Sequence, residues 1–204
     1  MTRLRFTHLR EVNVARQGPD GFNQPLNRWT LDDWLCAVGG EQGEAMNLQK
    51  KLNRARDGIV GNFKPASILR DEFAGELADT AIYIDLMAAA RDVAFTGVAS
   101  FADLLEANEI RPHLSLPPSR HLVTAWSAIA KAGEQLQGAI WYGERGDAGS
   151  VLHCRDEAED YLVSALTSLA AAGRHYAIDL GGAIVFTFNA KSAQLGMPHR
   201  LVAS

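Results

Sequence analysis

Four acidic side chains stand in two pairs, one in Gly40-Glu41-Gln42-Gly43-Glu44 and one in Gly75-Glu76-Leu77-Ala78-Asp79. Residues three apart on a helix share a face, with Cβ atoms about 5–6 Å apart. Each stretch therefore aims two carboxylates the same way, and two such helices packed face to face would gather all four. Four negative charges do not share a partly buried site without a counter-charge. The simplest one is Mg²⁺, a hard cation that takes oxygen ligands. The chemistry this spacing predicts is a helical Mg²⁺ site that binds a polyphosphate.

The same stripes carry more. At roughly 100° per residue, Glu41 and Glu44 lie about 60° apart, and Lys51 returns to within about 20° of Glu44. Asn47 lies between them. Glu72, Glu76, Asp79 and Tyr83 follow at spacings of four, three and four. An acidic stripe with a cation facing an acidic stripe with an aromatic suits a nucleoside triphosphate. Trp29, Trp34 and Tyr83 are candidates to stack on its base. The competing reading is two solvated helix faces making i,i+4 pairs. Other grips are excluded. No histidine has a glutamate three residues before it, as a di-iron bundle requires. There is no Cys/His zinc spacing and no GxxxxGK[ST].

The elements that must position these residues read as helices throughout. Thr30 with Asp32 and Asp33 predicts a helix start, and the helix should run over 31–56. Gly39, Gly40 and Gly43 lower its propensity while leaving room for a close approach. Residues 57–67 read as loop, with Ser67 capping a second helix over 68–92. Further helices are expected over 3–17, 101–108, 119–142, 155–172 and 180–194. Arg111-Pro112 and Pro117-Pro118 mark a connection, 143–150 reads as a turn-rich loop, and Gly173 as a helix stop. No segment shows sustained strand alternation, so the fold class expected is all-α, in one domain of 204 residues.

The formal net charge of −4 gives no general attraction for nucleic acid or an anionic membrane, so any bound anion must be held locally. Cys36 and Cys154 fit reduced cysteines packed as small hydrophobes. The start has no apolar run of signal-peptide length, and the most apolar stretches are too short to span a bilayer. The location expected is cytoplasmic.

Three segments, WLCAVGGEQGEAMNLQKKLNR, DEFAGELADTAIYIDLMAA and AIVFTFNAKSAQLGMPHRL, resemble the MazG-like all-α nucleoside triphosphate pyrophosphohydrolases, a superfamily that includes dimeric dUTPases and dCTP pyrophosphatases. The resemblance covers about 7–91 and 177–201. It implies a helical bundle in which Glu41, Glu44, Glu76 and Asp79 hold Mg²⁺, with Mn²⁺ a substitute. It also implies cleavage of a nucleoside triphosphate to the monophosphate and pyrophosphate. Glu41 or Glu44 would act as base, and Asn47, Lys51, Tyr83, Asn189 and Lys191 are the expected substrate contacts. Thr187 stands where such proteins often carry lysine.

Between the matching parts lies a helical insert, about 92–176. Its AWSAIAKAGEQLQGAIWYGERGD echoes the first acidic helix, with Glu134 at the place of Glu41 and Gln137 at that of Glu44. RDEAEDYLVSALTSLAAAGR echoes the second, with Ser164 near the place of Asp79. The insert reads either as a second copy without its ligands or as an unrelated hairpin. Short family members pair as dimers, so the chain is expected to be a homodimer or an intrachain pseudo-dimer. The alternative function is a non-catalytic nucleotide-binding or helical interaction protein on the same scaffold.

Overall fold

Thr30 begins the first long helix as its side chain predicts. Its hydroxyl accepts from the Asp33 N–H at 3.2 Å, and the Asp33 carboxylate accepts from the Thr30 N–H at 2.9 Å. Such a reciprocal cap satisfies two N–H groups that the start of a helix otherwise leaves unmet. The computed structural model describes residues 2–61, 64–107 (main chain only at 106 and 107) and 115–202, and these are all-helical. In order they form α1 (Phe6–Ala15), a 3-10 turn (Leu26–Arg28), α2 (Leu31–Arg56), α3 (Ala66–Ala90), α4 (Leu104–Ala107), α5 (Pro118–Gly143), α6 (Ala148–Arg174) and α7 (Leu180–Gln194). Among the described residues the one extended pairing is an isolated bridge between Arg5 and Ser100. The expected helix end at Asn108 and the Arg111-Pro112 connection lie outside the described residues.

α2 and α7 take their expected ranges, and three other expectations are corrected. Ser67 is not a cap: α3 starts after Pro65, whose extended backbone precedes the helix with no side-chain bond. Its fixed φ replaces a hydroxyl. α6 begins at Ala148 rather than Arg155, because the Asp147 carboxylate accepts the Ser150 N–H at 3.1 Å and this cap outweighs Gly149. Gly173 does not stop α6. It lies within it, where a Cβ would come 3.3 Å from Leu77 Cδ1, and the chain turns at Ala177 with φ +60°. Cys154 is buried as expected, whereas Cys36 is exposed, and neither forms a disulfide.

α2–α3 and α5–α6 are antiparallel hairpins that pack on each other, α2 against α5 and α3 against α6. Reciprocal fits set the α2–α5 approach. A Cβ at Gly133 would sit 3.0 Å from both Leu35 methyls, and one at Gly39 3.1 Å from the Trp126 ring. The Gln42 amide donates to the Leu122 carbonyl at 3.1 Å within the same seam. Gly40 and Gly43 meet nothing within 4 Å, so only Gly39 of the three is used for close packing.

α3 is the central helix. It touches α1, α2, α6 and α7, and from Leu77 to Ala88 most of its circumference is buried. α1 is fastened to it by polar groups. Arg10 Nε donates to Asp85 Oδ1 at 2.7 Å, and Asn13 Nδ2 donates to Asp85 Oδ2 at 3.0 Å and to the Ile82 carbonyl at 3.1 Å. Burial raises the Asp85 carboxyl pKa, while Arg10 and Asn13 hold it down. No helix among the described residues is long and apolar enough to cross a membrane.

Candidate functional site

Glu41 and Glu44 project from the middle of α2, and Glu76 from the facing part of α3. One carboxylate oxygen from each lies within 4.8 Å of the other two. Asp79, one turn further along α3, stands outside this trio but within electrostatic reach of all three. Among the described residues no arginine or lysine forms an ion pair with any of the four.

The crowding shows in their protonation. Partial burial, then the charges of Glu44, Glu41 and Asp79, push Glu76 from the ordinary 4.5 to about 7. Glu41 is also raised, chiefly by burial and then by Asp79 and Glu44, and is eased by a hydrogen bond shared with Glu76. The same interaction raises Glu76. Burial raises Asp79, opposed by the charges of Arg16 and Lys191. The trio thus holds a proton near neutral pH because carboxylates this close do not all ionise without a cation.

Glu41 and Asp79 open into a cavity of about 450 Å³. Its walls come from the turn after α1, the segment leading into α2, α2 itself, α3 and α7. Trp29 and Tyr83, both half-buried, are among its lining, and the Trp29 ring packs on the buried Trp34 with centroids 4.7 Å apart. Trp34 is fixed by its Nε1–H, which donates to the Leu26 carbonyl at 3.3 Å. Lys191 lines the cavity from α7, exposed, within electrostatic reach of Glu41 and Asp79.

Other expected contacts fall elsewhere. Asn47 is exposed and Lys51 half-buried further along α2, and neither lines the cavity. Asn189 faces the tail. Its amide donates to the Leu201 carbonyl at 2.9 Å and accepts from the Leu201 N–H at 2.8 Å, which uses both ends of the group. Glu72 pairs with Lys64 beyond the trio. Thr187 lines the cavity, and Lys191 lies one helical turn from it.

The wall that follows α1 is not among the contacts expected from the sequence. Arg16, Gln17 and Gln24 all line the cavity. A signal was present: the buried stripe Phe6, Leu9, Asn13, Arg16 keeps helical spacing but turns polar, which a search for apolar positions passes over. Comparisons with protein-family models, curated proteins and solved structures find no match.

Proposed function

We propose that this chain is a Mg²⁺-dependent nucleoside triphosphate pyrophosphohydrolase, converting a ribo- or deoxyribonucleoside triphosphate and water to the monophosphate and pyrophosphate. The observation that carries the reading is the trio Glu41, Glu44 and Glu76, its oxygens within 4.8 Å, at the edge of an aromatic-walled cavity. The resemblance to MazG-like pyrophosphohydrolases points the same way.

The donor set fits the metal. It is all oxygen, it is anionic, and it carries a proton near neutral pH that a divalent cation would displace. Glu41, Glu44 and Glu76 would hold the ion with Asp79 adjacent, and Mn²⁺ suits the same ligands. Bound there, the cation supplies charge neutralisation on phosphate oxygens and acidifies a water. The chain's own groups do the rest. Lys191 offers a cation to the phosphates, and the half-buried Trp29 and Tyr83 offer flat surface to sugar and base. Glu41 is the best-placed base, since it alone of the trio lines the cavity. A water oxygen bonds the α-phosphorus, its proton passes to Glu41, and the bond to the bridging oxygen breaks to release pyrophosphate. The α5–α6 hairpin supplies, within one chain, the helices that a second copy would bring.

A panel of ribo- and deoxyribonucleoside triphosphates with Mg²⁺ or Mn²⁺, read as pyrophosphate release, tests this. Turnover of at least one that chelation abolishes is the expected result. Metal-dependent nucleotide binding without turnover would transfer the site to a non-catalytic nucleotide-binding protein, and neither binding nor turnover would remove the reading altogether.

A further inference from the structure

The cavity contains polar groups that the proposed hydrolysis does not use. Arg16 is 5% exposed, and its Cζ lies 3.5 Å from the Phe188 ring centroid. One of its terminal nitrogens donates to the Phe188 carbonyl at 3.3 Å. Its Nε is buried without an acceptor, and among the described residues no carboxylate lies within ion-pair distance. Gln24 reaches the same cavity from the turn after α1, and its Nε2 is likewise buried with no acceptor. Both residues line the cavity, and two buried donors without acceptors, one of them cationic, cost free energy unless a ligand or water supplies acceptors.

We propose that Arg16 and Gln24 read the edge of the nucleobase and select one with a carbonyl oxygen at pyrimidine position 4 or purine position 6 (uracil, thymine or guanine) over one with an amino group there (cytosine or adenine). This rests on the nucleotide reading of the cavity. A guanidinium has five N–H donors and no acceptor, so an amino group brought against it leaves donors facing donors. Sites whose buried polar groups are satisfied only by the correct partner discriminate strongly. Phosphate is the poorer match for this wall. Arg16 is pinned under Phe188, whereas Lys191 is exposed and free to follow a phosphate chain, and the neutral Gln24 amide adds no charge that would favour an anion. The half-buried Trp29 in the same cavity provides the stacking face that a base needs.

The test uses nucleoside monophosphates in metal-free buffer, so that it needs neither turnover nor the carboxylate site. By calorimetry, UMP and GMP should bind the full chain at least about tenfold more tightly than CMP and AMP, the range expected for hydrogen bonds to a charged donor. Arg16→Lys keeps the charge but loses the fork, and Gln24→Met loses the amide. Each should bring the preference below about threefold, mainly by weakening UMP and GMP. Thermal unfolding without ligand identifies a variant that fails to fold. If Arg16→Lys does so, Gln24→Met, on a surface turn, decides alone. Equal binding of the four monophosphates by the unaltered chain, a preference for CMP or AMP, or variants that weaken all four alike would overturn the proposal. Selective UMP and GMP binding with no pyrophosphate release from any triphosphate would sink the hydrolase reading and leave this one standing.

Discussion

The α2–α3 and α5–α6 hairpins are two solutions to one packing problem. Aligned by which positions are buried, Leu31, Trp34, Val38, Ala45 and Leu48 of α2 fall on Leu122, Ala125, Ile129, Leu136 and Ala139 of α5 at one constant register. Leu69, Phe73, Leu77, Ala81 and Ile84 of α3 fall on Cys154, Ala158, Leu162, Leu166 and Leu169 of α6 in the same way. This register moves the α5 partners two residues from those the sequence echo suggests. Glu41 meets Ala132 rather than Glu134, and Glu44 meets Gln135 rather than Gln137. Glu76 meets Tyr161, which lies under Lys131 at 5.5 Å, and Asp79 meets exposed Ser164.

The two hairpins have the same buried frame and different chemistry at the same stations. The frame therefore does not require carboxylates there. An alanine, a glutamine, a tyrosine and a serine serve it, while the acids crowd one another and shift their own protonation. A repulsive cluster that packing does not need fits the ligand site proposed above. The hairpins differ in cover as well. α1 and α7 both lie against α3, and α7 with the turn after α1 closes a cavity beside Glu41 and Asp79.

The comparison breaks most directly in activity. Glu41→Gln, Glu44→Gln and Glu76→Gln should each lower pyrophosphate release by about a hundredfold or more, the scale of losing one charged group in a metal-assisted step. Gln135→Ala and Ser164→Ala, at the matching stations, should leave it within about twofold, as surface changes do. Equal losses in both hairpins would return the acids to a structural role. Next in size is the fastening of α1, which has no equivalent on α6, where Ala170 occupies the station of Asp85. Asp85→Ala strands Arg10 and Asn13 and should cost about 3 kcal/mol of stability by urea unfolding. It should also loosen Arg16 and so weaken nucleotide binding. A cost below 1 kcal/mol would show the pair to be incidental.

What could be read from the chain divides along local and non-local lines. Helix type, the Thr30 cap and the direction of each acidic pair depend on residues within a turn or two, and the 31–56 and 180–194 ranges follow from such signals. The start of α6 was missed because Gly146, Asp147, Gly149 and Ser150 are turn formers individually, and only the Asp147 side chain closing on the Ser150 N–H makes them a helix start. The convergence of Glu41, Glu44 and Glu76 follows once two helices are set face to face. The far wall of the cavity does not, since Arg16 and Lys191 meet there only because α1 and α7 both pack on α3. Asn189 stands in a motif-like stretch, yet its partner is the tail at Leu201, a pairing no spacing announces.

The smallest effect sharpens the contrast without any substrate. In the folded chain Glu76 titrates at about 7 against an ordinary 4.5, so between these pH values the folded state holds a proton that the unfolded state has released. Stability of the metal-free protein should therefore fall as pH rises from about 4.5 to about 7 and level off above that. Glu76→Gln removes the titrating group, and its contribution to that slope should vanish. At pH 8, where the native carboxylate is ionised among its neighbours, the variant should melt above the unaltered chain in metal-free buffer. Mg²⁺ should reverse the order, because it raises the Tm of the unaltered chain by binding the folded state and the variant has lost a ligand. The matching change in the second hairpin, Tyr161→Gln, adds no titrating group and should leave both the slope and the Mg²⁺ response as they were. A pH profile that Glu76→Gln does not alter would mean that the acids in α2–α3 are as well solvated as those on any exposed helix, and the difference between the hairpins would then be one of sequence only.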